Sequence, residues 1–124
     1  MKIEVVDTQR GGIQLVKIEG RLDANFSLQL EDEVDRLLEQ GKKNIILDLS
    51  DVTYLSSSGL RVFLSINQET KGTGGLVLVN PREVVKKIFE VAELQDLLTQ
   101  AETVKEALTI LEAKGKSSIT HDKG

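Results

Sequence analysis

The stretch that decides the fold is residues 44–65, NIILDLSDVTYLSSSGLRVFLS. Its apolar run Ile45-Ile46-Leu47 is typical of a strand that is buried on both faces of a parallel sheet. A short turn is expected after Leu49, and the three serines and the glycine of residues 56–59 then open a helix. Hydroxyl groups at a helix start lie beside free backbone N–H groups and the positive end of the helix dipole. The stretch therefore predicts a strand, a turn and a helix whose first residues could hold a phosphate, either bound or covalently attached.

Before this stretch, the pattern predicts a hairpin followed by a helix. One strand is predicted over residues 3–7 and a second over residues 13–20, in which the apolar residues are Ile13, Leu15, Val16 and Ile18. Two consecutive glycines between them suit a hairpin turn, because glycine tolerates positive φ. Residues 28–40 carry leucine and valine at helical spacing, with Asn25 or Ser27 as the candidate cap.

After this stretch, strands and helices continue to alternate. The helix opened by the serines should run over residues 58–70, and a fourth apolar strand over residues 76–79. The sequence Asn80-Pro81-Arg82-Glu83 combines a cap residue, a proline for the first helical position and a glutamate, so it predicts a third helix. A short edge strand is expected within residues 94–99, and the capping box Thr103-x-x-Glu106 predicts a final helix.

This order predicts a single α/β domain over residues 1–113, because a hairpin followed by alternating strands and helices makes a mixed, mostly parallel sheet. We expect four or five strands, with the first strand antiparallel and the helices mostly against one face. The predicted core contains Leu47, Leu49, Leu60, Phe63, Val77 and Val79. Residues 114–124 are polar and are predicted to form a disordered tail.

Composition narrows the classes of function. Aromatic residues make up only 3% of the 124 residues and there is no tryptophan, which argues against a stacking platform for sugars or single-stranded nucleic acid. The net charge is −4 and no basic run is longer than a pair, so direct nucleic-acid binding is not expected. Neither a signal-peptide core nor an apolar run of membrane length is present, so we expect a cytoplasmic protein without membrane insertion.

Signatures of catalysis are missing as well. The chain has no cysteine, and its one histidine, His121, lies in the polar tail, which argues against thiolate chemistry, a zinc site and a histidine base. The glycine-rich residues 71–75 lack the P-loop pattern, and no GxSxG elbow occurs. Asp48 and Asp51 could together bind a cation, but roles in fixing the loop and turn are favoured. We therefore expect no enzyme, no metal site and no cofactor.

The quoted stretch resembles the signature of a known family. The segment IILDLSDVTYLSSSGLRVFL resembles that of the bacterial anti-sigma factor antagonists, the STAS domain family. Gly20-Arg21-Leu22-Asp23 is similar to the second motif of that family. The resemblance covers residues 1–113 in the order and spacing of the elements. It implies a phosphoprotein that regulates transcription by partner switching.

In such domains, a partner that is both an anti-sigma factor and a serine kinase phosphorylates a serine at the helix start. The unphosphorylated antagonist binds that partner and frees the sigma factor, and a protein phosphatase resets the cycle. The motif places the acceptor at Ser57, with Ser56 and Ser58 as less favoured positions. The usual aspartate of the family falls on Ser56, which removes a carboxylate beside the acceptor. We expect the partner to dock on a rim made of Asp23, Ala24, Asn25, Ser56, Ser57, Ser58, Gly59 and Arg61.

Structural explanations compete with these roles. The serines can act as helix caps alone, and Gly59 can allow either close approach of a partner or packing against a neighbouring strand. Asp23 can be a turn or pre-cap residue or can shape the same rim as Ser57. A function from another class also stays open, namely a non-switching scaffold or a small-ligand or lipid-transport subunit. In that case the serine cluster is a cap or an anion site, and phosphate on Ser57 in cells distinguishes the two functions.

Overall fold

The structure, a computed structural model, describes residues 2–72 and 74–123, with side chains described up to Ala113. In chain order its elements are β1 (Lys2–Asp7), β2 (Ile13–Leu22), α1 (Ala24–Glu39), β3 (Asn44–Leu55), α2 (Ser57–Thr70), β4 (Gly75–Val79), α3 (Glu83–Val91), β5 (Thr99–Ala101) and α4 (Val104–Lys123). The domain boundary at residue 113 and the disordered tail over residues 114–124 stay predictions, because the side chains from residue 114 onward lie outside the described residues.

The five strands form one mixed sheet in the order β1-β2-β3-β4-β5. β1 is antiparallel to β2, and the other neighbours are parallel. Helices α1, α2 and α3 bury apolar side chains against one face of the sheet, whereas α4 places Ala107 and Leu111 against the other face. The predicted α/β fold, with an antiparallel first strand and most helices on one face, is therefore confirmed.

The core lies on both faces of β3. Ile45 and Leu47 contribute to the cluster under α1, α2 and α3, and Ile46 contributes to the cluster under α4. Within the larger cluster, the ring of Phe63 meets that of Phe89 edge to face, with 6.4 Å between the ring centroids. The predicted core residues Leu47, Leu49, Phe63, Val77 and Val79 are buried, and Leu60 is partly buried at the edge of the larger cluster.

The prediction of a turn after Leu49 is wrong, because β3 continues to Leu55. β2 also runs beyond its predicted end at Gly20, to Leu22, and the two strands stay paired to their last residues. The 12 residues of β3 lie beside the 10 residues of β2, and two register shifts absorb the difference. The polar residues that resemble a turn in sequence therefore form a bulged strand.

The start of α1 also differs from the prediction. The helix begins at Ala24, and its cap is Asp23, whose Oδ1 accepts a hydrogen bond of 2.9 Å from the backbone N–H of Phe26. The predicted caps, Asn25 and Ser27, lie inside the helix, and the Ser27 hydroxyl donates to the Asp23 carbonyl at 2.6 Å. The residue directly after β2 is thus the N-cap of α1, and no loop separates the strand from the helix.

The sequence predicted that Asn80 caps α3, but the structure does not place it there. It lies at a φ of 50°, and its backbone N–H donates to the carbonyl of Ala101 at 2.8 Å, so it joins the ends of β4 and β5. α3 begins at Glu83 with Arg82 in the cap position, without a side-chain cap. β5 begins only at the last residue of the predicted edge strand. The cap of α4 is as predicted, since Thr103 Oγ1 accepts from the backbone N–H of Glu106 at 3.1 Å.

Candidate functional site

Two helices begin side by side at one edge of the sheet. Leu22 and Leu55 are register partners at the ends of the parallel strands β2 and β3. The next residues, Asp23 and Ser56, are the N-caps of α1 and α2. Since neighbouring strands lie about 4.8 Å apart, the two caps and the first turns behind them share one surface. The structure therefore brings Asp23 and the three serines together.

Ser56 is fixed by hydrogen bonds from its backbone and from its side chain. Its Oγ accepts from the backbone N–H of Gly59 at 3.1 Å, which caps α2, and donates to the carbonyl of Leu22 at 2.7 Å. Its backbone N–H donates to the same carbonyl at 3.0 Å. The Ser56 hydroxyl thus uses both its proton and a lone pair inside the protein, and the cap is Ser56 rather than Ser58.

Ser57 differs from the serines on either side. It is the first residue of α2, it is exposed, and its hydroxyl makes no hydrogen bond to any residue that the structure describes. Ser58 is half-buried. The backbone N–H groups of Ser57 and Ser58 precede the first intrahelical bond, from Leu60 N to Ser56 O at 3.0 Å, and so have no partner within α2. Ser57 therefore combines an accessible hydroxyl with free donors and the positive end of the helix dipole.

Gly59 allows α2 to begin close to the sheet. A Cβ at this position would lie 2.7 Å from Leu55 Cδ1 and 2.9 Å from Leu22 Cδ2, nearer than normal contacts permit. Gly59 is also buried. Of the two explanations that the sequence left open, packing against the neighbouring strands is thus the one that the structure shows. As a result, the serines are held against the strand ends.

The other predicted rim residues border the serines. Ala24 and Asn25 are exposed in the first turn of α1, and Asp23 is half-buried because its carboxylate caps that helix. Arg61 lies one turn after Ser57, is exposed, and forms no ion pair with any of the described residues. The surface around the Ser57 hydroxyl therefore has an acidic group on its α1 side and a cation on its α2 side.

The carboxylates of Asp48 and Asp51 have separate partners. Asp48 Oδ1 accepts from the backbone N–H of Ser50 at 3.0 Å and from its hydroxyl at 2.5 Å. Asp51 Oδ1 lies 3.8 Å from Arg82 Nη2, and Arg82 Nε donates to the Ser50 carbonyl at 2.8 Å. These contacts tie the bulged part of β3 to the segment before α3. Among the side chains that the structure describes, those of residues 2–72 and 74–113, no group of three or more His, Cys, Asp or Glu could hold a metal ion.

One finding bears on the alternative function as a small-ligand or lipid-transport subunit. An apolar concave surface of about 570 Å³ lies on the outer side of α3, lined by Glu83, Val84, Lys87, Ile88, Val91 and Ala92. None of the helices in the described part of the chain has the length and apolar character needed to cross a membrane. The residues that line the concave surface do not include the serine cluster.

Two residues at the edge that carries the serines, Arg21 and Tyr54, were not predicted as site residues. They are register partners on β2 and β3, and the guanidinium carbon of Arg21 lies 4.3 Å from the centroid of the Tyr54 ring. The sequence signal is weak, because this pairing depends on the bulges in β3. The one hint is that Tyr54, the only tyrosine of the chain, precedes the serine cluster by two residues.

Comparison with family models matches residues 4–107 to the STAS domain. Among curated relatives, BtrV of Bordetella bronchiseptica is 30% identical over 82 residues, which cover 65% of this chain and 71% of that protein. The anti-sigma-B factor antagonist of Staphylococcus aureus is 26% identical over 102 residues, which cover 79% of this chain and 92% of that protein.

Solved structures share the fold. The anti-sigma factor antagonist SpoIIAA in its unphosphorylated form gives a TM-score of 0.76 at 23% identity, with 90% of this chain and 97% of that chain covered. The phosphorylated form of the Bacillus cell fate determinant SpoIIAA gives a TM-score of 0.68 at 23% identity, with 87% and 97% covered. These likenesses concern the arrangement of the five strands and four helices.

Proposed function

This chain belongs to the STAS domain family, and we propose that it is a cytoplasmic anti-sigma factor antagonist that takes part in the regulation of transcription. Unphosphorylated, it binds an anti-sigma factor that is also a serine kinase, and a sigma factor is released. Phosphorylation of Ser57 ends this binding, and a protein phosphatase restores it. The protein is in this scheme the substrate of an enzyme and not an enzyme itself.

The observation that carries the proposal is the difference between Ser56 and Ser57. The Ser56 hydroxyl donates its proton to the carbonyl of Leu22 and accepts a hydrogen bond from the N–H of Gly59. The Ser57 hydroxyl is exposed and makes no hydrogen bond within the described residues. A kinase must reach an acceptor hydroxyl and orient it in line with the phosphate of ATP. Ser57 therefore suits the acceptor role better than Ser56 does.

The electrostatics at the start of α2 should allow the domain to tolerate a phosphate on Ser57. Phosphorylation adds a charge of about −1.5 to −2 and three strong acceptor oxygens. On Ser57 these oxygens would lie near the free N–H groups and the positive end of the α2 dipole, with no acidic residue in the first turn of that helix. The domain should therefore stay folded after modification.

The effect of the phosphate is expected in the complex with the partner. A dianion buried at an interface needs cations opposite it, and without them its desolvation costs several kcal/mol. A loss of about 2.7 kcal/mol already weakens binding about a hundredfold. Phosphorylation would thus release the partner without any change of fold. The relative named as an anti-sigma-B factor antagonist supports this class of partner.

The test is incubation with the anti-sigma factor kinase of the same organism and ATP, followed by tandem mass spectrometry of residues 50–61. We expect one phosphate, on Ser57, and a dissociation constant for the kinase that rises at least a hundredfold after modification. The Ser57→Ala variant should bind the kinase and stay unmodified. Phosphate on Ser56 or Ser58 alone would contradict the assignment of Ser57. Stable binding with no phosphate at all would favour the non-switching scaffold.

A further inference from the structure

A bulge in β3 directs Tyr54 to the surface beside Arg21. Gly20 pairs with Val52, but the next residue, Arg21, pairs with Tyr54, so Thr53 is an extra residue in β3. Gly20 lies at a φ of 108°, which glycine adopts without strain. Val52 is buried, whereas Thr53 and Tyr54 are both exposed. Bulges often re-aim side chains next to functional sites, and this one moves an aromatic ring into solvent.

Arg21 and Tyr54 form a stacked pair. The guanidinium carbon of Arg21 lies 4.3 Å from the ring centroid of Tyr54, within the range of a cation–π contact. Tyr54 is 38% exposed, and Arg21 forms no ion pair with a residue in the described part of the chain. The stack holds two long side chains in one arrangement before any partner arrives, which lowers the entropy lost on binding. The guanidinium edge carries N–H donors that are free for a partner group.

The position of the pair links it to the rim. Arg21 and Tyr54 each precede a helix cap by two residues, Asp23 in one case and Ser56 in the other. The residues between them and the caps, Leu22 and its register partner, pack beneath Gly59. Because successive side chains of a strand point to opposite faces, the stack lies on the face of the sheet away from Leu22 and Leu55, at the same end of the two strands as the caps. Arg and Tyr are among the residue types that most often dominate the binding energy of protein interfaces.

We propose that the Arg21–Tyr54 stack is an anchor of the docking surface and receives a carboxylate side chain of the anti-sigma factor kinase. This inference rests on the proposed function, because it names a contact of the same complex. A guanidinium group can meet a carboxylate through two parallel hydrogen bonds while its carbon stays over the Tyr54 ring. A partner that covers Arg21 without an acid opposite it would bury an unpaired charge, which is strongly unfavourable. An aspartate or a glutamate of the kinase fits both requirements.

The test measures how tightly variants of the full chain bind the purified anti-sigma factor kinase of the same organism, and compares their dissociation constants. Arg21→Ala and Tyr54→Ala should each weaken binding at least tenfold, whereas Tyr54→Phe, which keeps the ring, should stay within threefold of wild type. Arg21→Lys should fall between, because an ammonium group cannot make the paired contact. Arg36→Ala is the matched control, since Arg36 is equally a surface arginine but is paired with Glu33 on α1 at 2.7 Å. Melting temperatures verify that each variant is folded.

Alanine substitution of the acidic residues of the kinase completes the test. One of these kinase substitutions should no longer weaken binding when Arg21 is already alanine, and it identifies the carboxylate that pairs with Arg21. Binding of Arg21→Ala within twofold of wild type would overturn this proposal and leave the proposed function intact. Full binding by Arg21→Lys would overturn the two parallel hydrogen bonds, and the lack of any coupled acidic residue in the kinase would overturn the carboxylate contact. If the wild-type chain does not bind the kinase at all, both proposals fall together.

Discussion

The hydroxyl of Ser56 donates a hydrogen bond of 2.7 Å to the carbonyl of Leu22, which lies 34 residues earlier in the chain. This bond ties the start of α2 to the end of β2. An ionised aspartate, the residue usual in the family at this position, can accept the capping bond from Gly59 but has no proton to donate to Leu22. The serine therefore preserves the cap while adding a link that a carboxylate cannot make.

Ser56→Ala should lower stability. The change removes the cap of α2, typically worth about 1 kcal/mol, and the bond to Leu22, so the melting temperature should fall by about 4–8 °C for a chain of this length. Ser58→Ala is the control, because Ser58 does not cap the helix, and it should stay within about 2 °C of wild type. Thermal unfolding followed by circular dichroism measures both. A larger loss for Ser58→Ala than for Ser56→Ala would show that the cap is assigned to the wrong serine.

Gly59→Ala should also destabilise the domain. The new methyl group would press on Leu22 and Leu55, and overpacking of a buried site costs about 1–3 kcal/mol. The higher helix propensity of alanine offsets about 1 kcal/mol at most. Gly11→Ala is the matched glycine control, since a Cβ there meets nothing within 4 Å. Denaturant unfolding of the two variants decides the point, and equal midpoints would mean that α2 shifts away from the strands at no cost.

Asp23 can be tested for its two roles separately. Asp23→Asn keeps an oxygen that accepts from the backbone of Phe26, so the melting temperature should stay close to wild type. Asp23→Ala removes the cap and should cost about 1 kcal/mol. If the charge of Asp23 contacts the anti-sigma factor kinase, Asp23→Asn should weaken binding although it is stable. Wild-type affinity in the asparagine variant would limit Asp23 to capping α1.

Ser57→Asp should keep the fold and lose the anti-sigma factor partner. The carboxylate lies at the positive end of the α2 dipole, which favours negative charge by about 0.3–1 kcal/mol, so the melting temperature should not fall. At the interface the same charge is desolvated, and we expect at least tenfold weaker binding. Ser57→Ala should bind like wild type. A Ser57→Asp variant that unfolds, or one that binds normally, would contradict the proposed mechanism of release.

Arg61→Glu should weaken the complex without harming the domain. Arg61 is exposed and unpaired within the described residues, and a lone surface charge usually changes stability by less than about 0.5 kcal/mol. The melting temperature should therefore move by no more than about 2–4 °C. Isothermal titration with the kinase measures the affinity. An unchanged affinity would remove Arg61 from the docking surface.

Much of the fold followed from local patterns in the sequence. The run Ile45-Ile46-Leu47 predicted a strand buried on both faces, and the capping box at Thr103 predicted the start of α4. Such signals are contained in short windows, because periodicity and capping involve residues only a few positions apart. The order of the elements then restricted the topology to a mixed sheet with parallel crossovers. The serine cluster at a helix start was visible for the same reason.

Other features were decided only when distant segments met. The extension of β3 to Leu55, the choice of Ser56 over Ser58 as the cap and the stacking of Arg21 on Tyr54 all depend on the register between β2 and β3. That register includes two bulges whose positions the alternation of residues does not reveal, because each bulge shifts the side chains that follow it to the other face of the strand. The sequence thus determined the strands, the helices and the serines, and tertiary pairing determined which serine is held and which is free.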